Sequence, residues 1–293
     1  MKNKALVVLF LTIFLDLMGF GLIIPILPIY AKTLGATDAM VGLLGASFSI
    51  MQFIFASFWG GLSDRYGRRP IMLISISIMI VAYILFANAT VLWLLFATRL
   101  LKGFGAANLS VAQAYISDVV PAEKRTKAFG IIGAAFGLGF IFGPSIGGIV
   151  NEFYGVAGVG YFAAALGALN LVLAWFFLDE TLKVKSTTVQ LFPNPFKDII
   201  QFRAVPEINA LFTINFVYVL GFSMMQITST LLWAEHFGLS ELHIGYTFAY
   251  IGVLAVIIQG GLIGYFNTWF GEKNLLFFGT ILVSMGLFSM PFV

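Results

Sequence analysis

The chain has 293 residues, of which 60% are hydrophobic and 10% are charged, and its formal net charge is +3. A soluble protein is excluded, because a domain of this size cannot hide so much apolar surface from water, and the small net charge gives no sign of a nucleic-acid partner. The lack of cysteine excludes disulfides and thiolate metal sites. The apolar runs are continuous, which favours helices over a closed barrel, so we expect an all-α, polytopic membrane helical bundle.

A membrane helix needs roughly 20 apolar residues, and nine stretches reach this length. They are 5–31, 39–60, 70–88, 91–117, 127–150, 157–178, 207–232, 241–265 and 274–293. Six of them form a predicted N-terminal block over 1–178, and three form an incomplete second block over 207–293. The connection 179–206 is a predicted cytoplasmic linker, with a short surface helix at 195–203 because an Asn-Pro pair there is typical of a helix start.

The positive charges predict the orientation of the spans. With the N-terminus inside, the inner segments carry 13 of the 16 Lys and Arg residues, and the outer loops carry Lys32 alone. The remaining two, Arg99 and Lys102, lie within the fourth span. This asymmetry predicts a multi-pass protein of the cytoplasmic (inner) membrane.

Asp16 in the first span is the one acid predicted to lie deep within a membrane helix. A carboxylate buried in hydrocarbon costs roughly 3 kcal/mol, so such a residue usually has a function. Because burial disfavours its charged form, Asp16 suits a proton-coupling group that loads and releases a proton. The alternative is a structural carboxylate that pairs with Arg99 or Lys102 and holds spans one and four together.

The segment 60–70, between spans two and three, concentrates charge at one end of the predicted bundle. Its candidate gating residues are Gly60, Asp64, Arg65, Gly67, Arg68 and Arg69. An acid at a helix end can engage the positive N-terminus of another helix, and Arg68 can pair with Asp118 at the inner end of span four. We interpret the segment as a gate latch; the alternative is a loop whose charges only anchor it. A weak repeat of it runs from Gly264 to Gly271.

Arg99 and Lys102 lie on one stripe of the fourth span. At 100° per residue, the stripe also contains Gly103, Ser110 and Gln113, while the other side is apolar apart from Asn108. Lipid would not tolerate such a stripe, so it is interpreted as a cavity wall, with small and polar residues that join helices as the alternative. Further cavity candidates are the intramembrane amides Gln52, Gln113, Asn215, Gln226 and Gln259.

Four motifs, in chain order, resemble those of the major facilitator superfamily, specifically the drug:proton antiporters that include the tetracycline efflux proteins. They are 15–28 in span one, 60–70, 99–107 in span four, and 139–148 in span five. The last is similar to the antiporter motif and contains Gly139, Gly143, Pro144, Gly147 and Gly148. Family members have two blocks of six helices, so this chain is expected to be truncated after the ninth helix.

The resemblance implies a functional role for Arg99 and a kink at Pro144 that seals the cavity against proton leak. A tight helix contact without a transport role is the alternative for the antiporter motif, since glycine permits close packing. The tetracycline pumps carry acids in helices three and nine and a histidine in helix eight. The matching positions here hold Ala82, Val283 and Ala255, so the resemblance does not extend to tetracycline as the substrate.

The predicted function is proton-coupled efflux of small amphipathic compounds or drugs by alternating access. The expected partners are a small-molecule substrate, protons and the lipid bilayer, with the proton gradient as the energy source and no cofactor, metal or catalytic residue. Two alternatives stay open at this point. One is a facilitator of an anionic metabolite that uses Arg99 and Lys102, and the other is a truncated membrane fragment that does not transport.

Overall fold

A computed structural model describes residues 2–182, 206–258 and 262–289 of the chain. The short helix predicted at 195–203 and the cavity candidate Gln259 lie outside these residues. Within them the secondary structure is helical and includes no strand. The predicted all-α bundle is therefore confirmed.

Ten α-helices, numbered in chain order, account for the described residues. They are α1 (Lys2–Ile23), α2 (Ile26–Thr33), α3 (Asp38–Tyr66), α4 (Arg68–Ala87), α5 (Leu92–Gly105), α6 (Asn108–Val119), α7 (Arg125–Phe177), α8 (Pro206–Glu235), α9 (Glu241–Ile257) and α10 (Ile263–Ser289). Glycines at positive φ divide α7 at Gly155 and α10 at Gly271. Each of these two elements is thus a pair of consecutive helices.

Five helical stretches of the described chain are long and apolar enough to cross a membrane. They are Leu6–Thr33, Asp38–Tyr66, Arg68–Ala87, Ala122–Phe177 and Ile208–Glu235. The 56 residues that contain α7 would extend roughly 84 Å at 1.5 Å per residue, whereas the hydrocarbon core is about 30 Å thick. The chain therefore crosses twice here, and its course supports this, because Gly160 lies against Ala87 at the end of α4 and Asn170, further along, donates to the Thr12 carbonyl in the middle of α1.

Two of the predicted spans are broken helices. The first is interrupted around Pro25, which lacks the N–H group that would continue the hydrogen-bond ladder. The fourth, predicted as one helix over 91–117, is divided between α5 and α6 at Ala106 and Ala107. The ψ angle of Ala106 is 55°, far from a helical value.

Side chains of two neighbouring helices satisfy the carbonyl groups that the second break releases. Trp59 Nε1 of α3 donates to the Phe104 carbonyl over 2.5 Å, and Ser75 Oγ of α4 donates to the Gly105 carbonyl. A carbonyl without a partner is costly inside a membrane. These bonds explain how α3 and α4 stabilise a gap in a membrane-spanning segment.

The break corrects the helical-wheel prediction for the fourth span. The wheel assumed 100° per residue throughout, which placed Gln113 on the stripe of Arg99 and Asn108 on the apolar side. In the structure Arg99 and Lys102 are buried as expected. Beyond the break the register changes, so that Asn108 is 2% exposed and Gln113 is exposed.

The apolar core consists of two clusters stacked along the bundle. One surrounds Met72 and Tyr115, towards the end of the bundle that carries Arg68. The other surrounds Leu22 and Phe86, towards the end that carries Tyr30. We call these ends the Arg68 end and the Tyr30 end. The polar residues of the candidate site lie between the two clusters.

The weak sequence repeat has a structural counterpart in the backbone. Gly67 joins α3 to α4 with φ 120° and ψ 156°, and Gly271 joins the two parts of α10 with φ 74° and ψ 157°. Glycine adopts this region at little cost, unlike residues with a side chain. The two connections therefore use the same local device at matching positions of the predicted repeat.

Candidate functional site

A cavity of about 590 Å³ lies between α1, α2, α3 and α5 on one side and α8 on the other. Its volume falls within the range of roughly 300–1,000 Å³ that is typical of small-molecule sites. Aromatic and aliphatic side chains form most of the wall, among them Phe20, Phe48, Phe216 and Met224. Such a wall suits the apolar body of a ligand.

Arg99 of α5 is the one charged residue among the described residues that line this cavity. Its side chain is 6% exposed. The centre of its guanidinium lies 4.9 Å from the ring centroid of Phe48 and 5.8 Å from that of Phe20, within the range of cation–π contact. Arg99 Nε is buried, and the described part of the chain gives it no hydrogen-bond partner.

A buried polar cluster, consisting of Asp16, Tyr83, Arg99, Lys102 and Asn108, lies beside the cavity. Lys102 Nζ donates to the Tyr83 hydroxyl over 2.7 Å, and Asn108 Nδ2 donates to Asp16 Oδ2 over 3.3 Å. A void of about 10 Å³, close to the size of one water molecule, is bordered by Tyr83, Arg99 and Lys102. The cluster thus brings one acidic residue, Asp16, and two basic residues, Arg99 and Lys102, into one small region.

Asp16 is partly buried and faces the interior of the bundle through its bond to Asn108. Among the described side chains no cation lies within 4 Å of its carboxylate, so the hypothesised direct pair with Arg99 or Lys102 is not formed. Lys102 nevertheless interacts with Asp16 electrostatically at longer range. Asp16 also precedes Phe20 by one helical turn, which places it on the helix face that borders the cavity.

The other cavity candidates are distributed around this site. Gln226 of α8 lines the cavity, and its buried Nε2 has no hydrogen-bond partner in the described chain. Gln52 lies on α3 one turn beyond the lining residue Ser49, and Asn215 is exposed on α8. Gln113 is exposed on α6, and Lys102 lies behind the wall, within the polar cluster.

Sequence reasoning did not single out several side chains that build the site. Phe20 and Phe48 contact each other, with ring centroids 5.2 Å apart, and together they contact the Arg99 guanidinium. Tyr83 accepts the hydrogen bond of Lys102. The one available signal was the position of Phe20, four residues after Asp16 on the same helix face; no pattern in α4 distinguishes Tyr83.

The candidate gating residues at the Arg68 end form an ion-pair network around Arg68. Arg68 Nη1 lies 2.5 Å from Asp64 Oδ1, and Arg68 Nε lies 3.0 Å from Asp118 Oδ2. Ser63 Oγ accepts a further bond from Nη1 over 2.7 Å. The structure therefore contains the predicted contact of Arg68 with Asp118, and it ties the ends of α3, α4 and α6 together.

Glu180, which follows α7, caps the N-terminus of α4, a contact that the sequence analysis did not predict. Its carboxylate accepts the backbone N–H groups of Arg68 over 3.0 Å and of Arg69 over 3.2 Å, at the positive start of α4. Asp64, proposed for such a role, instead pairs with Arg68 within the same loop. A Cβ atom on Gly67 would overlap the Glu180 carboxylate, so this glycine makes room for the cap.

The two remaining gating candidates have looser surroundings. Arg65 is exposed, with its guanidinium 5.5 Å from the ring centroid of Tyr66. Gly60 lies within α3, where an added Cβ would have no neighbour within 4 Å. The Gly60 carbonyl accepts a hydrogen bond from Ser63 Oγ over 2.7 Å and so connects to the network around Arg68, whereas no ion pair of that network involves Arg65 in the described chain.

The glycines of the antiporter-like motif form a close contact on two sides of α7, which we call the glycine seam. Towards α1, a Cβ on Gly143 would lie 2.7 Å from the Cα of Gly21, and one on Gly139 would lie 2.9 Å from Leu17. Towards α9, a Cβ on Gly148 would lie 3.1 Å from the Glu241 carbonyl. Gly147 packs on α1 in the same way. The seam thus joins α1 to α9 through α7.

Pro144 lies within the seam, and the backbone keeps helical torsion angles there. The non-helical residue inside α7 is Gly155, eleven positions further along the chain. The Pro144 carbonyl lies against Gly245 of α9, where a Cβ would be 2.6 Å away. Pro144 therefore contributes to the helix contact, and the break in α7 occurs at the turn between its two membrane crossings.

A sequence profile described as Major Facilitator Superfamily matches residues 9–293. The chain belongs to the Major Facilitator Superfamily. It is 32% identical to the tetracycline resistance protein, class C, of Escherichia coli, over 99% of this chain and 74% of that protein. It is 30% identical to multidrug resistance protein 2 of Bacillus subtilis, over 94% of this chain and 70% of that protein.

Among solved structures, the human organic anion transporter MFSD10 has the same fold, with a TM-score of 0.73 at 26% identity over 89% of this chain and 72% of that one. Superfamily members are membrane transporters, and the sequence relatives place this chain in the drug-efflux branch. Their substrate sites lie near the bilayer midplane between two related halves. In this chain the cavity likewise lies between helices of the first block and α8 of the second.

Proposed function

We propose that the protein is a secondary active transporter that exports small amphipathic compounds in exchange for protons, by alternating access. One observation carries the proposal: a ligand-sized cavity between α1–α5 and α8 borders a polar cluster with a partly buried acid. The names of the relatives, which refer to tetracycline and to several drugs, support efflux over the facilitator alternative. Ala82 and Ala255 stand where the tetracycline pumps carry an acid and a histidine. This difference argues against tetracycline itself as the substrate.

Asp16 is the proposed proton-coupling residue. Its hydrogen bond to Asn108 and the nearby ammonium of Lys102 stabilise the charged form, whereas burial disfavours it. Opening of the cavity to one side changes that balance and lets Asp16 exchange its proton. Lys102 and the cavity residue Arg99 both belong to α5. A change in the charge of Asp16 therefore acts on Lys102 and, through α5, on the substrate site.

In the proposed alternating-access cycle, the N-terminal block 1–178 and the second block 207–293 move relative to each other. The glycine seam keeps α7 against α1 and α9 and seals that side against protons. The network around Arg68, which ties the ends of α3, α4 and α6 together within the first block, is the proposed gate latch at the Arg68 end. Lys32 lies within ion-pair distance of Glu235 of α8 and joins the two blocks at the Tyr30 end.

The proposed setting is the cytoplasmic membrane, with the N-terminus and the Arg68 end inside. The positive-inside rule supports this orientation, because most Lys and Arg residues then face the cytoplasm and Lys32 alone lies outside. The proton gradient supplies the energy, so the proposal includes no cofactor and no enzymatic step.

Proton-driven accumulation in inside-out vesicles tests the proposal. With an acidic lumen, vesicles that contain the protein should concentrate dansyl-labelled probes, namely anionic dansylglycine, neutral dansylglycinamide and cationic dansylcadaverine, according to its specificity. Asp16→Asn should abolish accumulation and leave downhill flux, while Glu152→Gln, which alters an exposed acid, should have little effect. Gradient-independent equilibration by the unaltered protein would favour a facilitator, and unchanged accumulation by Asp16→Asn would remove the assigned role of that residue.

A further inference from the structure

We infer that the cavity selects amphipathic monoanions, whose carboxylate or sulfonate group binds Arg99 and Gln226 while an aromatic body packs on the phenylalanines of the wall. This inference rests on the proposed transport function and specifies the substrate class of the same site. It follows from charge, from unpartnered hydrogen-bond donors and from shape.

The charge of the described cavity wall is positive. Arg99 is its one charged residue, and no described carboxylate lies within 4 Å of the guanidinium. The other buried base, Lys102, shares the polar cluster with Asp16, whose negative charge acts on it. A buried charge without a counter-ion is costly, so a bound anion stabilises the site and a bound cation would be repelled.

Two buried nitrogen donors at this cavity have no acceptor in the described chain. They are Nε of Arg99 and Nε2 of Gln226, and both residues line the cavity. Buried donors are normally satisfied by protein groups, by water or by a ligand, so acceptor atoms of a bound ligand can fill these two positions. A carboxylate or sulfonate offers several acceptor oxygens and forms stronger, charge-assisted bonds with a guanidinium. A cationic amine has no such acceptor.

The rest of the wall accepts an apolar, preferably aromatic, body. Phe20 and Phe48 already flank the Arg99 guanidinium from the side of α1 and α3, and Phe216 and Met224 face the cavity from α8. Aromatic faces stabilise both the guanidinium and a flat ligand ring. The volume of about 590 Å³ leaves room for a two-ring compound beside the anionic group.

The position of the two donors links binding to alternating access. Arg99 belongs to α5 and Gln226 to α8, so an anion held by both residues bridges the two predicted blocks. A ligand shifts a conformational equilibrium only if it binds one state better than the other. The bridged anion meets this condition, because separation of the blocks removes one of its two partners.

Binding of three probes with one fluorophore tests the inference without requiring transport. The full chain, purified and reconstituted in lipid nanodiscs, is titrated with dansylglycine, dansylglycinamide and dansylcadaverine, and fluorescence reports transfer into the cavity. Dansylglycine should bind at least about tenfold more tightly than its neutral amide, since a charge-assisted pair is roughly twice as strong as a neutral one. Equal affinity for the acid and the amide, or a preference for dansylcadaverine, would overturn the inference.

Two variants locate the effect. Arg99→Met should remove the preference for dansylglycine and leave dansylglycinamide binding within about twofold, whereas the matched change Lys273→Met, at an exposed lysine of α10, should alter neither. Gln226→Glu supplies an internal counter-ion to Arg99, so it should reverse the preference towards dansylcadaverine. This variant keeps the arginine in place, so it tests whether the charge of Arg99 selects anions even if Arg99→Met fails to fold.

The same probes separate this inference from the proposed function. Selective binding of dansylglycine without proton-driven accumulation would retain the anion site and reject the transport mechanism. Accumulation of dansylcadaverine, with no binding of dansylglycine, would retain the transporter and reject the anion site.

Discussion

One face of α1 packs backbone against backbone on α7, whereas a neighbouring face borders the cavity with charged and aromatic side chains. On the seam side, a Cβ on Gly143 would lie 2.7 Å from the Cα of Gly21, and no polar side chain intervenes. On the cavity side, Asp16 and Phe20 adjoin the polar cluster, in which Asn108 Oδ1 also has no partner within the described chain.

The difference separates the residues that hold the bundle together from those that are available to a ligand. The seam gains its stability from van der Waals packing between small residues, so its geometry has little room to adjust. The cavity side leaves hydrogen-bond donors unpaired, which destabilises the folded state. A bound ligand, or a proton that moves to a neighbouring group, can remove this penalty. Changes to the seam should therefore act on folding, and changes to the cavity side on transport.

The largest effect on folding is expected from Gly143→Val. The new side chain would meet backbone atoms of Gly21 at 2.7 and 2.8 Å, and backbone cannot rotate away, so α1 and α7 must separate. Overpacking of this kind costs about 3 kcal/mol. Thermal unfolding in detergent should show a clearly lower Tm and a poor yield of monodisperse protein.

Gly133→Val is the matched control for this prediction. Gly133 lies on the same helix, exposed, and a Cβ there would have no neighbour within 4 Å. Its Tm should stay close to that of the unaltered chain. Equal loss of stability in both variants would mean that α7 tolerates no added side chain at either position. The close packing of the glycine seam would then not explain the effect.

Features that follow from the solvent or from glycine geometry could be predicted from the sequence. That the predicted spans are helices follows from the need to satisfy every backbone polar group inside hydrocarbon, and five helical stretches of the described chain are long and apolar enough to cross a membrane. The spacing of Gly139, Gly143 and Gly147 predicts close packing, since glycine removes the Cβ that would keep helices apart. The sequence did not reveal that the partners would be α1 and α9, because the spacing specifies a face but not its neighbour.

Features that depend on tertiary contacts could not be predicted in this way. The break at Ala106 and Ala107 consists of residues with a good helix propensity, and it is maintained by bonds from Trp59 and Ser75 that lie far away in sequence. The partner of Asp16 was uncertain for the same reason. The register shift at the break brings Asn108 to it, which a continuous helical wheel excludes.

A smaller effect on folding, but a clear one on transport, is expected from Tyr83→Phe. The change keeps the ring and removes the hydroxyl that accepts from Lys102 Nζ over 2.7 Å. Hydrogen bonds to charged groups contribute about 2 kcal/mol, and the adjacent void, lined by Lys102, can hold a water that recovers part of this. We expect a Tm nearer to the unaltered chain than that of Gly143→Val, and roughly tenfold slower proton-driven accumulation.

Tyr161→Phe is the control for the tyrosine prediction, because it removes a hydroxyl that donates to Asn88 over 3.1 Å at an exposed site. It should leave both Tm and accumulation nearly unchanged. If Tyr83→Phe instead lowered the Tm as strongly as Gly143→Val and left the accumulation of folded protein intact, the polar cluster would be a structural element, and the two faces of α1 would not differ in role.

The smallest effect is expected from Lys32→Gln, at a contact that belongs to neither face of α1. Lys32 forms ion pairs with Asp38 and, over 3.4 Å, with Glu235 of α8, and all three side chains reach solvent. Exposed ion pairs contribute little to stability because water and salt screen them, so the Tm should hardly change. The pair with Glu235 nevertheless joins α2 to α8, and its loss should favour states that are open at the Tyr30 end.

Because the chain has no cysteine, a single Ser223→Cys change in the cavity wall provides a probe of that opening. Maleimide applied from the Tyr30 side should label it about twofold faster with Lys32→Gln, because loss of an exposed ion pair shifts the conformational populations only slightly. Glu235→Gln should act equally, Glu152→Gln should not, and high salt should erase the difference by screening the pair. A salt-independent increase would assign the opening to altered packing around Lys32 and not to its charge.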